Sequence, residues 1–459
     1  MVLTQVNAKE LVRKQREFFE TGQTKDIDFR RNQLQQLKQV ITENKEAIVE
    51  AIGKDIGKPA FETLLSEFYY CTEEIEYALK HLNNWTKPQR VKTPLTQLPA
   101  ASKILAEPLG VVLIISPWNY PLQLTIMPLI GAIAAGNCAI LKPSEISPAT
   151  SHVIADLIAQ AFSPEYITVV EGEKDVSQEL LEQKFNHIFF TGSTRVGRIV
   201  MEAAAKQLTP VTLELGGKCP CIVDTDIKLK YAIRRILWGK FSNAGQSCIA
   251  PDYILIPPSL KPDFLAAAQD CLQEFYGKNP AESPDYGRII NDKHFKRLSN
   301  LLSTGEVIVG GETKAEERYI APTIMDNVSW EDPIMEDEIF GPILPIVEYQ
   351  NLENAIAHIN SRPKPLALYI FSRNDKLIKK VLQDTTSGGV CINDTIMHLA
   401  PKELPFGGVG SSGIGRYHGK ASFDTFSNQK SILHRSFLFD LPVRYPPYSE
   451  KFKFLKWLV

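Results

Sequence analysis

The sequence has no excess charge of either sign and no cysteine pattern of the disulfide-bonded kind. Its 459 residues contain 51 Lys and Arg against 53 Asp and Glu, a formal net charge of −2, so there is no broad basic field to attract nucleic acid or anionic lipid. Seven cysteines, an odd number in so long a chain, do not form a disulfide framework and favour a reducing compartment. We therefore expect a cytoplasmic protein with no nucleic-acid partner.

Long apolar runs are also missing. Residues 1–29 contain no apolar core of a secretory signal, so none is expected. One stretch without charges, residues 111–141, is long enough to span a bilayer, but Pro117, Pro121 and Pro128 interrupt it. Because prolines break a spanning helix, this stretch predicts buried strands and a buried helix in a soluble core.

The chain has no internal repeat and no low-complexity linker, and its length of 459 residues suggests two or three domains. Apolar strands alternate with helices, which is typical of a parallel sheet covered on both faces. A second α/β run begins at Cys221, after the boundary Gly216-Gly217-Lys218. The strands of the first run are predicted at residues 111–115, 138–141, 167–170, 187–190 and 211–215.

Cys248 differs from the other six cysteines. It lies in a loop of small residues, 242–250, where a thiol is reachable and backbone N–H groups are close, as a nucleophile beside an oxyanion site requires. Cys219 and Cys221 lie two apart without further ligands nearby, so no metal site is predicted. Composition alone also allows an ordinary loop cysteine at position 248.

Glu214 is the candidate base. It ends an apolar strand just before two glycines, and the carboxyl end of a parallel strand faces the crevice where α/β proteins bind ligands. Burial there would raise the pKa of its carboxyl group and suit it to activating water. A surface carboxylate at a strand end is the alternative that the residues leave open.

Two glycine-containing segments predict different things. Residues 192–197 follow an apolar strand and open a helix, the context for cofactor phosphates at a helix N-terminus, although the middle glycine of the dinucleotide fingerprint is missing. Residues 408–413 match that fingerprint literally, but no suitable strand precedes them, which indicates a loop near a site. No segment matches a P-loop, so a P-loop NTPase is excluded.

From about residue 105 to 431 the chain resembles the aldehyde dehydrogenase superfamily. Seven short motifs in family order carry the resemblance, and their order makes it specific although each is weak alone. They are Pro117-Trp118-Asn119-Tyr120-Pro121, Lys142-Pro143-Ser144-Glu145, Phe190-Thr191-Gly192-Ser193-Thr194, Leu213-Glu214-Leu215-Gly216-Gly217-Lys218, Gly245-Gln246-Ser247-Cys248, Glu338-Ile339-Phe340-Gly341-Pro342 and Pro405-Phe406-Gly407-Gly408. Finer features are similar to class 3, which includes fatty aldehyde dehydrogenases, although Ser247 and Cys219 stand where Thr and Ser are usual there.

The resemblance implies a reaction and a role for each catalytic residue. Cys248 would attack the aldehyde carbonyl, Asn119 and the Cys248 backbone N–H would bind the oxyanion, and Glu214 would activate water to hydrolyse the thioester. The implied cofactor is NAD, with NADP possible. Lys142 and Glu145 would contact its adenosine ribose, Ser193 its pyrophosphate and Glu338 its nicotinamide ribose, with the remaining contacts from Trp118, Gly192, Thr194, Val196, Gly197 and Phe340.

The implied substrates are medium- or long-chain aliphatic or aromatic aldehydes, which become carboxylic acids. Tyr70, Tyr120, Ile396 and Phe406 are the pocket candidates by resemblance, and their apolar walls favour such aldehydes over small polar ones. Tyr70 is equally compatible with the protein core. A catalytically silent member that acts as a binding or structural protein, and a peripheral-membrane enzyme that detoxifies fatty aldehydes, are the alternatives.

The resemblance also implies two Rossmann-like domains with a small bridging element and a homodimer. We assign residues 1–88 and 107–215 to an NAD(P)-binding domain, 216–424 to a catalytic domain, and 89–106 with 425–459 to a bridging or oligomerisation element and tail. In the tail, residues 448–459 carry apolar side chains at 4-3-4 spacing with lysines between them. This favours a helix packed on the body or partner subunit, with a reversible membrane-surface contact as the sharper hypothesis.

Overall fold

Helices build the N-terminal part of the chain in the computed structural model, which describes residues 7–438, 440, 442–449 and 451. The buried Leu34, Leu37 and Ile41 recur at helical spacing and face the core. A π-helical turn at Leu64–Phe68, a distortion that is frequent at functional sites, joins the fourth helix to the fifth. These helices are α1 (Ala8–Glu20), α2 (Ile27–Glu43), α3 (Lys45–Ile56), α4 (Ala60–Thr63) and α5 (Tyr69–Trp85).

Two strands, β1 (Gln89–Val91) and β2 (Ala100–Pro108), leave this layer as an antiparallel pair. The chain then enters the first sheet, where strands of mostly buried residues alternate with helices, as predicted. Its elements are β3 (Val111–Ile115), α6 (Pro121–Ala135), β4 (Cys138–Lys142), α7 (Pro148–Ala161), β5 (Ile167–Val169), α8 (Lys174–Leu181), β6 (His187–Thr191), α9 (Thr194–Ala205) and β7 (Val211–Glu214).

The charge-free stretch forms β3, α6 and β4 in the core of the first sheet. All fifteen residues of α6 are buried, although Pro128 lies inside the helix. Within the described part of the chain, no helix has both the length and the apolarity that crossing a membrane requires.

A second sheet follows immediately after Glu214, so the boundary at the two glycines separates one sheet from the other. Apart from the antiparallel edge strand β10, its strands run parallel. The elements of this part of the chain are β8 (Pro220–Val223), α10 (Leu229–Phe241), β9 (Tyr253–Ile256), α11 (Lys261–Tyr276), α12 (Asp292–Leu301), β10 (Glu306–Val309), β11 (Thr313–Lys314), β12 (Tyr319–Ile320), β13 (Thr323–Asp326), α13 (Pro333–Glu336), β14 (Ile343–Glu348), α14 (Leu352–Asn360), β15 (Ala367–Phe371), α15 (Asp375–Asp384) and β16 (Gly389–Ile392). Of these, β11 and β12 form a separate two-stranded antiparallel sheet.

The chain returns to the first sheet after the second. Strand β17 (Gly413–Ile414) pairs antiparallel with β7 of the first sheet, and α16 (Gly419–Thr425) packs against α6 and α5. Tyr417 and Phe423 join the apolar core of the first sheet, although the sequence analysis assigned them to the range 216–424 of the second unit.

Strand β18 (Ser427–Arg435) then pairs antiparallel with β2 and completes the small three-stranded sheet β1-β2-β18. This sheet lies outside both larger sheets, where the sequence predicted the bridging element. The predicted tail helix cannot be compared, because most of residues 448–459 lie outside the described part of the chain.

Candidate active site

The candidate site lies at the carboxyl ends of the first sheet. The strands lie in the order β5-β4-β3-β6-β7, so the chain adds β4 and β5 on one side of β3 and then β6 and β7 on the other. Ligands of open α/β sheets bind in the crevice at such a switch point. The loop after β3 carries Asn119, the loop after β6 carries Ser193, and Glu214 ends β7. The topology therefore brings together three segments that are far apart in sequence.

Cys248 follows a strained loop after α10. Asn243, Ala244 and Gly245 are all left-handed, with φ angles of 51°, 51° and 73°, and non-glycine residues adopt this conformation at a cost. A Cβ on Gly245 would lie 2.3 Å from the Gly341 carbonyl oxygen, so only glycine fits. The Gln246 side chain fixes the loop by donating to Asn243 O and Arg288 O, at 3.0 and 2.9 Å, and accepting from Ile290 N at 3.0 Å.

Two buried carboxylates lie within electrostatic range of the Cys248 thiol. Burial raises the pKa of the thiol, and the negative charges of Glu338 and Glu214 raise it further. Burial also raises the pKa of Glu214 well above the ordinary carboxyl value, against the lowering effect of Arg416. Neither Glu214 oxygen has a hydrogen-bond partner among the described residues, so this carboxyl group is poised to exchange a proton.

Asn119 is buried and lies against the nucleophile loop. Its side-chain amide donates to the Gln246 carbonyl at 3.1 Å, and its own carbonyl accepts from Asn243 Nδ2 at 2.9 Å. The structure therefore holds Asn119 against a residue that lies two positions before Cys248 in the loop. One amide N–H is used in this contact, which leaves the other for a ligand.

Glu338 packs directly on the boundary glycines. A Cβ on Gly216 would lie 2.0 Å from Glu338 Oε2, and burial with the nearby Asp252 charge raises the pKa of Glu338 to about 8. Glu338 Oε1 is buried and unpartnered within the described chain, as a carboxylate that awaits a ribose hydroxyl would be. The residues therefore fit this end of a dinucleotide.

An ion pair that sequence reasoning missed holds the Glu338 segment. Lys218 Nζ donates to Asp252 Oδ2 at 2.6 Å and to the carbonyl oxygens of Ile334 and Asp337, while Asp252 Oδ1 accepts from Ile339 N at 3.0 Å. No signal in the sequence paired these residues, because they come from three separate segments.

The first turn of α9 has the features of a phosphate site. Ser193 is its N-cap and accepts from Val196 N, at 3.4 Å. A Cβ on Gly192 would lie 2.5 Å from the Phe190 ring, and one on Gly197 would lie 2.6 Å from Leu215. Both glycines therefore serve close packing between the helix and the sheet. Thr194 Oγ1 donates to Ser411 O of the glycine-rich loop at 3.2 Å.

The other predicted cofactor residues lie along the same edge. Lys142 is buried and donates to Pro143 O at 2.8 Å and to Glu145 Oε2 at 3.3 Å. Trp118 packs edge-on against Phe340, with ring centroids 5.4 Å apart, and Phe340 has a left-handed backbone with φ 49°.

The four predicted pocket residues come from four separate segments of the chain. Tyr120 lies beneath the Lys58 ammonium, and Ile396 adopts a left-handed backbone before a short turn. Phe406 stacks on His418, with centroids 5.2 Å apart, and Tyr70 lies 4.2 Å from the Lys402 ammonium.

Tyr417, which sequence reasoning did not select, packs edge-on against Phe406, with ring centroids 5.8 Å apart. The Tyr417 phenol is buried. Burial is the main cause that raises its pKa, and the charges of Glu214, Cys248 and Tyr70 raise it further. Tyr70 and Cys248 therefore both act electrostatically on Tyr417. The Tyr70 hydroxyl has no hydrogen-bond partner in the part of the chain that the structure describes.

The switch point of the first sheet, with Glu214 and the capped N-terminus of α9 beside it, is typical of α/β enzymes that use a dinucleotide cofactor. The family model described as the aldehyde dehydrogenase family matches residues 2–432, and the chain belongs to this family. It is an NAD(P)-dependent oxidoreductase that acts on aldehydes.

Individual proteins agree with this membership along almost the whole chain. The 4,4'-diaponeurosporen-aldehyde dehydrogenase of Staphylococcus aureus is 51% identical over 441 residues, 96% of each chain. The dimeric NADP-preferring aldehyde dehydrogenase of Rattus norvegicus is 49% identical and covers 96% of this chain and 98% of its own. The solved substrate-bound state of Staphylococcus aureus AldH superposes with a TM-score of 0.97 at 49% identity, covering 99% of this chain and 100% of that one.

Proposed function

We propose that the protein oxidises medium- or long-chain aliphatic or aromatic aldehydes to carboxylic acids through a thioester on Cys248. The observation that carries this proposal is the joint placement of Cys248, Glu214 and Glu338, since both carboxylates lie close enough to raise the pKa of the half-buried Cys248 thiol. A catalytically silent relative would have no use for a strained nucleophile loop beside an unpartnered carboxyl group.

The steps follow from the residues. Once its proton has passed to water, the Cys248 thiolate sulfur bonds to the carbonyl carbon as the carbon–oxygen π bond opens. The free Asn119 amide N–H and the Cys248 backbone N–H would then donate to the resulting oxyanion. A bound nicotinamide would supply the hydride acceptor, and loss of hydride from the adduct on Cys248 would leave a thioester on this residue. Glu214 then takes a proton from water, the water oxygen bonds to the thioester carbon, and the carbon–sulfur bond breaks.

We propose that the cofactor lies along the edge from Lys142 to Glu338. Glu145 would accept from the adenosine ribose hydroxyls and repel a 2′-phosphate, whereas Lys142 would attract one. Both side chains lie at this edge and contact each other, which supports NAD with NADP also accepted. The relative named as NADP-preferring supports the second cofactor.

A series of unbranched aldehydes tests the proposed substrate class. Because the pocket candidates are aromatic or aliphatic, each methylene that is buried should contribute about 0.8 kcal/mol. We expect kcat/KM, measured by NADH or NADPH formation, to rise by about 4-fold per methylene until the walls are filled. A kcat/KM that is highest for the shortest aldehyde would contradict the proposal.

We propose a homodimer, assembled through the three-stranded sheet. Strand β18 is an edge strand of that sheet, and unpaired edges with apolar side chains are places of association. Leu433, Phe437 and Leu438 are exposed there. The relative named as dimeric supports the proposal. Light scattering of the purified chain measures its mass in solution, which distinguishes a dimer from a monomer.

We propose as a separate hypothesis that residues 448–459 touch membrane surfaces reversibly. The apolar side chains and intervening lysines of this segment are typical of interfacial helices. Deleting these residues is expected to lower sedimentation with anionic liposomes and to leave activity toward a water-soluble aldehyde unchanged. Equal sedimentation of both chains would refute the contact.

A further inference from the structure

A fully buried ion pair lies behind the nucleophile loop and has no role in the steps above. Lys58, between α3 and α4, and Glu67, in the π-helical turn, both have completely buried side chains, with 2.5 Å between Nζ and Oε1. Removing two charges from water opposes folding, and the mutual attraction of such a pair often only offsets this loss. Stability alone is therefore a weak reason for the pair.

Both ends of the pair contact the segment that carries Asn119. Lys58 Nζ donates to the Asn119 carbonyl at 3.0 Å and lies 4.0 Å from the centre of the Tyr120 ring. Glu67 Oε2 accepts from Leu122 N at 2.9 Å, in the first turn of α6, where a negative charge also suits the helix dipole. The segment is thus fixed at a carbonyl, at a ring and at a helix N-terminus.

The nucleophile loop contacts the same segment. Asn243 Nδ2 donates to the Asn119 backbone carbonyl, which also accepts from Lys58, and to the Gln246 carbonyl at 3.1 Å. The Asn119 side-chain amide donates to the same Gln246 carbonyl. Lys58 and Asn243 therefore fix the Asn119 backbone, while Gln246 fixes one hydrogen of its side-chain amide and leaves the second N–H for a ligand.

We propose that Lys58 and Glu67 are positioning residues that hold the Asn119 amide where the oxyanion forms. The proposal rests on the proposed role of Asn119 as an oxyanion donor. It follows from the chemistry of such donors, since they act only when preorganised at hydrogen-bond distance from the developing charge, and a misplacement of about 1 Å can cost 10²-fold in rate.

The test is a double-mutant cycle between Lys58→Met and Asn119→Ala. We expect K58M alone to lower the single-turnover rate of NAD(P)H formation by about 10- to 100-fold and to leave the dissociation constant of NAD unchanged. In the N119A background the same change should lower the rate by less than about 3-fold, because the amide that Lys58 positions is already gone. A purely structural role would lower the rate by equal factors in both backgrounds.

Folding of the variants is controlled separately. Because breaking one half of a buried pair leaves an unpaired charge, the double variant K58M/E67Q is the second reporter. It removes both charges and keeps an acceptor oxygen for Leu122 N, and the cycle with N119A is repeated on it. The matched control is Lys261→Met, which removes the partly buried pair with Asp326, and its rate is expected within about 2-fold of the parent.

The outcomes separate this inference from the proposed function. Equal losses in both backgrounds, or a full rate in folded K58M or K58M/E67Q, would overturn the positioning role. A parent enzyme that reduces no cofactor with any aldehyde, or a fully active N119A, would instead contradict the proposed mechanism. Strong coupling between Lys58 and Asn119 supports both.

Discussion

Replacing Cys248 with serine is expected to lower aldehyde-dependent NAD(P)H formation by about 10⁴-fold or more. The site already raises the pKa of the thiol through burial and two nearby carboxylates, and a serine hydroxyl in the same place would hold its proton far more tightly. The hydroxyl oxygen of C248S would therefore form almost no covalent adduct from which hydride can leave. Stopped-flow absorbance with saturating aldehyde and cofactor measures the rate.

Two controls make this result specific. Cofactor binding, followed by fluorescence quenching, should be unchanged in C248S because the thiol contributes nothing to the proposed ribose and phosphate contacts. The matched variant Cys271→Ala removes a buried thiol in α11 and is expected to keep a rate within about 2-fold of the parent. Full activity in C248S would end the assignment of the nucleophile.

Glu214→Gln is expected to separate the two halves of the reaction. The amide keeps the size of the side chain but cannot accept a proton, so the acyl-enzyme should form and then persist. We expect a burst of about one NAD(P)H per site followed by a steady state about 10²- to 10⁴-fold slower than in the parent. Rapid-quench detection of the acyl-enzyme provides the second measurement.

The pH dependence of the deacylation rate tests the same proposed role of Glu214. The pKa of Glu214 is raised by burial, so in the parent the base form is present above that raised pKa and is lost as the pH falls through it. Deacylation should therefore rise with pH along a limb above the ordinary carboxyl range, and E214Q should lack this limb. Glu202→Gln, an exposed carboxylate on α9, serves as the control, and a full-rate steady state in E214Q would refute the base role.

The sequence predicted the sheets well because buried parallel strands carry a strong local signal. Strand β3 and the buried helix α6 lie where the sequence predicted them. Helix α9 begins within residues 192–197, where a helix start was predicted, at the turn that Ser193 caps. Helix ends depend on single capping contacts, which apolar periodicity does not show. Strand β17 was missed since two residues in a glycine-rich loop carry no alternation.

The candidate site was only partly predictable. A loop of small residues and a strand end, which are local features, made Cys248 and Glu214 candidates, and only the resemblance to the aldehyde dehydrogenase superfamily favoured them over the alternatives. Lys58 was not found, because its contact with Asn119 spans 61 positions of sequence and a lysine between two helices is usually a solvated side chain. Buried polar pairs depend on which elements meet in space, and that information is absent from residue spacing.

The return of the chain in β17 affects how the molecule is made. Glu214 lies on β7, whose outer neighbour β17 comes at residues 413–414, so the ribosome must synthesise the whole second sheet before the first sheet acquires its outer strand. Domains usually fold in the order in which they emerge, but here the first sheet is completed only after the second has been made. In a nascent chain the backbone of Glu214 therefore stays without its strand partner Gly413 until translation has passed both sheets.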